Sequence, residues 1–170
     1  MAFIFQNRNY RCLSCLCIVM LLACAVYSQP KSKYNITGAW TGYVKTTQMK
    51  LPYEVVINDS AGTYTGYSKI IFKVKGKELS AIKSLEIRIE DDRYILEEMQ
   101  LISDNYEEEA PRKIKQVNTL DLQIGTKKMS FSGEFKTKAT MGLRSATGEV
   151  YLQKAIDPDS SLLFGALKQM

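Results

Sequence analysis

Residues 63–74 read TYTGYSKIIFKV. Tyr64, Gly66, Ser68, Ile70, Phe72 and Val74 share one parity; Thr65, Tyr67, Lys69, Ile71 and Lys73 share the other. No helix holds i, i+2 and i+4 on one face, so this alternation predicts a half-buried strand. Before it, DSAG (59–62) supplies an aspartate that can bond locally and a glycine free to take positive φ, which reads as a hairpin turn. After it, KGKE (75–78) turns the chain again.

The period of two continues in both directions. Upstream, Leu51, Tyr53, Val55 and Ile57 alternate with Pro52, Glu54, Val56 and Asn58, and WTGYVK (40–45) forms a still earlier strand. Downstream, Leu85, Ile87 and Ile89 form the apolar side of a fourth strand, and Asp91–Asp92 turn into RYILEEMQLIS. In that segment Tyr94 and Leu96 change parity against Met99 and Leu101, so it reads as a strand with a β-bulge at Glu97–Glu98 or as a short helix. The bulged strand agrees better with its close flanking strands. Read without a bulge, Glu97 shares a face with Ile95, Met99 and Leu101. After the polar connection 104–115, Leu120, Leu122 and Ile124 alternate. Met129, Phe131, Gly133 and Phe135 follow, and Ala146, Gly148, Val150 and Leu152 complete eight strands.

WTGYVK (40–45), YTGYSK (64–69) and FSGEFK (131–136) repeat an aromatic, a small hydroxyl, a glycine and a lysine. Aromatic and glycine are two apart and so share the apolar face. The expectation is that each glycine leaves room for a neighbouring aromatic and lets the strand coil, as small barrels need. Short connections between consecutive strands imply an antiparallel meander. The fold expected is therefore all-β, an eight-stranded up-and-down barrel over 37–156. A two-sheet sandwich uses the same alternation and remains the alternative. Residues 157–170 read as a short amphipathic helix packed outside, with Asp159 or Ser160 as N-cap and Leu163, Leu167 and Met170 at helical spacing.

Residues 1–28 lie outside this pattern. Arg8 and Arg11 precede the apolar run CLSCLCIVMLLACAV, and Val26 and Ser28 occupy the small-residue positions of a cleavage site. That is the layout of a secretory signal peptide, with a run too short to span a bilayer. The expected location is secreted, periplasmic or cell-envelope, with 29–36 as a polar lead-in. LLAC (21–24) resembles a bacterial lipobox, which implies lipidation at Cys24 and a membrane tether through that residue alone. Cys12, Cys15, Cys17 and Cys24 all lie in the leader, so simple cleavage leaves no thiol, disulfide or thiolate metal site.

The chain has no histidine. That removes Ser-His-Asp and Cys-His catalysis and the usual transition-metal sites. No phosphate-cradling glycine loop is present, and no cofactor is implied. Loss of Arg8 and Arg11 takes the formal charge from +5 to +3, a solvated balance that does not point to nucleic acid. Only carboxylate chemistry is left, with Glu54, Glu97, Glu134 and Glu149 as candidates by type. Parity turns Glu54, Glu134 and Glu149 outward. Tyr43 and Tyr67 face outward two residues before lysines, as a stacking platform or as ordinary cross-strand packing.

Gly38-x-Trp40 in the first strand resembles the G-x-W signature of lipocalin-like and avidin-like barrels. The resemblance implies a tryptophan closing the barrel base, a cation packed over it, for which Arg144 is the candidate, and a small apolar molecule held inside. Trp40, Tyr53, Tyr64, Phe72, Phe131 and Phe135 would line that interior, with Glu97 and Arg144 as its charged pair. The functional expectation is a non-catalytic barrel that binds a small apolar ligand. The alternative is a barrel with a filled core, acting as a structural module or on an envelope protein partner.

Overall fold

The computed structural model describes residues 32–107, 114–138 and 145–170. Cys24 and Arg144 lie outside the described residues. The strands are β1 (Gly38–Lys45), β2 (Lys50–Ser60), β3 (Thr63–Val74), β4 (Lys77–Glu90), β5 (Arg93–Asp104), β6 (Lys115–Ile124), β7 (Met129–Lys138) and β8 (Thr147–Lys154). Each pairs antiparallel with the next, and β8 pairs with β1, so the sheet is a closed barrel and not a sandwich. Closure leaves no free edge along the ring, the usual liability of a long exposed strand.

Three of the turns are two residues long: Ala61–Gly62, Lys75–Gly76 and Asp91–Asp92. All six residues have positive φ, the backbone that matches the twist of a tight hairpin. The Asp59 carboxylate accepts the Gly62 N–H at 2.7 Å, as DSAG implied. Trp40 lies near one end, here the base, from which the lead-in and the 61–62 and 91–92 turns project. The opposite end, the mouth, carries the 46–49 and 75–76 turns.

Inward positions follow the alternation read from the sequence. Trp40, Tyr53, Leu96, Leu120, Phe131 and Leu152 have no exposed surface. The Trp40 and Phe131 rings lie 4.3 Å apart, and Tyr94 meets Phe131 edge-on at 5.0 Å. Ile36, also fully buried, closes the base, and its carbonyl accepts the Trp40 indole N–H at 2.9 Å.

Gly42, Gly66 and Gly133 take inward register positions, but the reason differs from the one expected. A Cβ at Gly42 would lie 2.0 Å from the Tyr151 carbonyl oxygen, one at Gly66 2.1 Å from that of Val56, and one at Gly133 2.1 Å from that of Thr119. The neighbouring backbone, rather than an aromatic side chain, occupies the space. At Gly148 an aromatic does take part: a Cβ there would meet the Phe135 ring at 2.7 Å and the Lys45 carbonyl oxygen at 2.1 Å.

The tail forms a 3-10 turn (Pro158–Ser160) and a six-residue helix, α1 (Leu162–Leu167). Their N-caps are Asp157 and Ser161, not Asp159 or Ser160, because Pro158 opens the turn and a second start follows it. Leu163 is fully buried against the outer faces of Ala39, Val56 and Ile82, while Met170 is exposed. Among the described residues no helix is long and apolar enough to cross a membrane.

Candidate functional site

The mouth-side half of the interior holds a buried polar cluster among its apolar side chains. Glu98 on β5 is 4 % exposed and takes three hydrogen bonds. Its Oε1 accepts the Ser68 hydroxyl at 3.0 Å; its Oε2 accepts the Lys83 ammonium at 2.9 Å and the Gln116 backbone N–H at 3.0 Å. Lys83 also donates to the Ile114 carbonyl. The Gln116 amide N–H donates to Asn118 Oδ1 at 2.7 Å, and the Asn118 amide donates to the Tyr53 hydroxyl at 3.2 Å. Burial, with the nearby Glu98 charge, pushes the Tyr53 phenol far above its ordinary range. Each of these polar groups has a partner, as a buried group must. Tyr106 lies over the cluster with its ring 5.5 Å from Phe72. Burial, then Glu98 and Asp104, push its hydroxyl up to about 12.

On the outer wall, Glu97 bridges two cations: Arg88 at 3.0 Å and Lys138 at 2.7 Å. Hydrogen bonds from Lys138 and then Arg88 hold its carboxyl below the usual glutamate range. Beside this bridge, Val117, Thr119 and Thr147 floor a groove of ≈ 670 Å³ rimmed by Arg88, Lys136 and Glu149. Elsewhere on the wall Tyr43 stacks on Tyr151 at 5.7 Å, and the Lys50 ammonium sits 3.6 Å from the Tyr43 centroid. Tyr67 is no platform, since it packs against the cluster around Leu163. Glu54, outward as expected, accepts the Ser161 hydroxyl at 2.8 Å and the Leu163 N–H at 2.7 Å, tying α1 to β2.

Trp40, Tyr53, Tyr64, Phe131 and Phe135 are all buried inside, within one apolar cluster. Phe72 faces inward at the mouth and is half-buried. Glu97 is a correction: it faces outward, and Glu98 takes the interior. The register shows why. Tyr94, Leu96 and Glu98 pair in step with Ile89, Ile87 and Leu85, and the bulges fall one to four residues later, between the Leu85–Glu98 and Ile82–Ser103 pairs. The parity change is real, but it lies C-terminal to the glutamate pair.

Lys83 shares the parity of Leu85 and Ile87, and Asn118 that of Leu120, so the alternation alone places both inside. Arg144, outside the described residues, was the expected cation over Trp40. Among the described residues Lys154 lies over it, its ammonium 5.9 Å from the Trp40 ring centroid and donating to the Asn35 carbonyl at 2.6 Å. Its loss of water lowers its pKa.

No family model matches the chain, and neither a curated protein nor a solved structure shows significant similarity to it.

Proposed function

We propose that this is a non-catalytic, secreted or envelope-held barrel with a filled interior, acting through its outer wall on a protein partner. One observation carries the reading: Trp40, Tyr53 and Phe131, the largest side chains assigned to a ligand pocket, have no exposed surface. A cavity large enough for an apolar molecule would leave part of those rings accessible. The leader supports the location, and the outer Tyr43–Tyr151 pair with Lys50 supplies aromatic and cationic groups of the kind enriched in interfaces. Glu54, Glu97 and Glu98 already hold partners, which speaks against carboxylate catalysis.

A small apolar ligand remains a second reading, confined to the mouth, because Leu51, Ile70 and Phe72 face inward there and stay partly exposed. Native mass spectrometry of protein purified from its own source decides between them. A folded species at the bare chain mass supports the filled module. A stoichiometric apolar adduct, lost on Phe72→Ser, overturns it in favour of the mouth site.

A further inference from the structure

We propose that the barrel wall has a built-in opening point between β5 and β6, held shut by the adjacent Glu97 and Glu98. Among the described residues the two strands share only four register pairs, Tyr94↔Leu120 to Glu97↔Val117. By contrast β3 and β4 share eleven, and β6 and β7 share ten. Beyond Glu97 no further register pair is made among the described residues, and side chains bridge the two strands. From inside, Glu98 takes the Gln116 N–H at 3.0 Å and Lys83 takes the Ile114 carbonyl, so an ion pair stands where main-chain rungs would continue.

From outside, Lys138 on β7 reaches past β6 to Glu97 on β5, which Arg88 on β4 also holds. Consecutive glutamates on opposite faces thus each pin the same seam.

Physical chemistry makes this closure different from the rest of the ring. A buried ion pair loses much of its Coulomb attraction to desolvation, and apolar side chains of similar volume commonly do as well. Exposed bridges such as Lys138–Glu97 add little and weaken with salt. Local openings draw on the least stable contacts, so this seam should part before any other. Parting would uncover Ser68, Gln116 and Asn118, the polar part of the interior.

Residue-resolved hydrogen exchange on the purified protein tests this. The amides of Leu96, Glu97, Val117 and Asn118 should exchange at least about ten-fold faster than those of Gly66–Ile70 on β3. Glu97→Gln, on the exposed side of the seam, should speed the first set several-fold and leave the second unchanged. The outward register pair gives a lock, Ile95→Cys with Thr119→Cys, since the chain has no cysteine after Cys24. Oxidation of that variant should slow the seam amides to the β3 rate, and reduction should restore the difference in the same molecule. The proposal fails if seam and β3 amides exchange at one rate, or if Glu97→Gln alters both sets alike.

Discussion

At the scale of single residues, the inward glycines are the sharpest constraint. Alanine at Gly42 or Gly133 would drive a Cβ to within 2.0 or 2.1 Å of a neighbouring carbonyl oxygen, which only a backbone shift can relieve. Each substitution should cost about 3 kcal/mol in denaturant unfolding. Gly165 is the control, because nothing lies within 4 Å of its Cβ position and it sits in α1. Gly165→Ala should stabilise the tail by roughly 0.5–1 kcal/mol. Equal effects at all three sites would mean that close backbone approach is not the reason for these glycines.

The tyrosines set the alkaline limit. Tyr53 and Tyr106 have phenols raised from 10.0, first by burial and then by Glu98. A group raised on folding contributes stability that is intact below its unfolded value and drains away as pH climbs toward the folded one. Stability should therefore fall above pH 10, and Tyr106→Phe, which keeps the ring against Phe72, should move the alkaline midpoint upward. An absorbance titration in which the tyrosines ionise together near their ordinary value, with the barrel still folded, would refute this.

At the scale of elements, strands were legible wherever one parity is apolar and the other wet. β3 is the clearest case, and its turns carry their own local signals. β5 was harder. Parity locates a bulge only to the stretch between the last residue in phase and the first out of phase. Leu96 and Met99 bracket Glu97 and Glu98 alike, so the sequence left open which glutamate faces in. The pairing to β4 resolves it, and that long-range register leaves no mark in the local pattern. The tail shows a related limit. Two caps in five residues produce two short helical pieces, while hydrophobic spacing alone suggests one.

Because a six-residue helix has no stability of its own, α1 exists through Leu163 and the Glu54 cap. Leu163→Ala should cost about 2–4 kcal/mol of tail docking, and Glu54→Gln about 1 kcal/mol. Limited proteolysis should then trim the Leu163→Ala variant back toward Ala155 while the barrel resists. Cleavage of barrel and tail in step would show that the tail is integral to the fold rather than laid on it.

At the scale of the whole molecule, the interior divides by chemistry: packed rings near the base, a hydrogen-bonded polar cluster toward the mouth. The one tryptophan of the chain sits in the first region. Trp40 is fully buried, its N–H bonded to Ile36 and its ring against Phe131. Its fluorescence therefore reports the base, whereas the β5–β6 seam parts at the far end. Emission should be blue-shifted and nearly immune to acrylamide under native conditions. Glu97→Gln should leave that protection unchanged even as the seam amides exchange faster. An apolar naphthylamine dye should likewise neither quench nor shift it, since no space beside Trp40 is open to the dye. Phe131→Ala creates such a space, at a cost of about 3–5 kcal/mol if the barrel does not collapse around it. Dye response gained only in that variant would place the barrier to binding in the packing of the native rings. A response already present in the unsubstituted protein would mean that the interior admits ligands and that the filled-module reading is wrong.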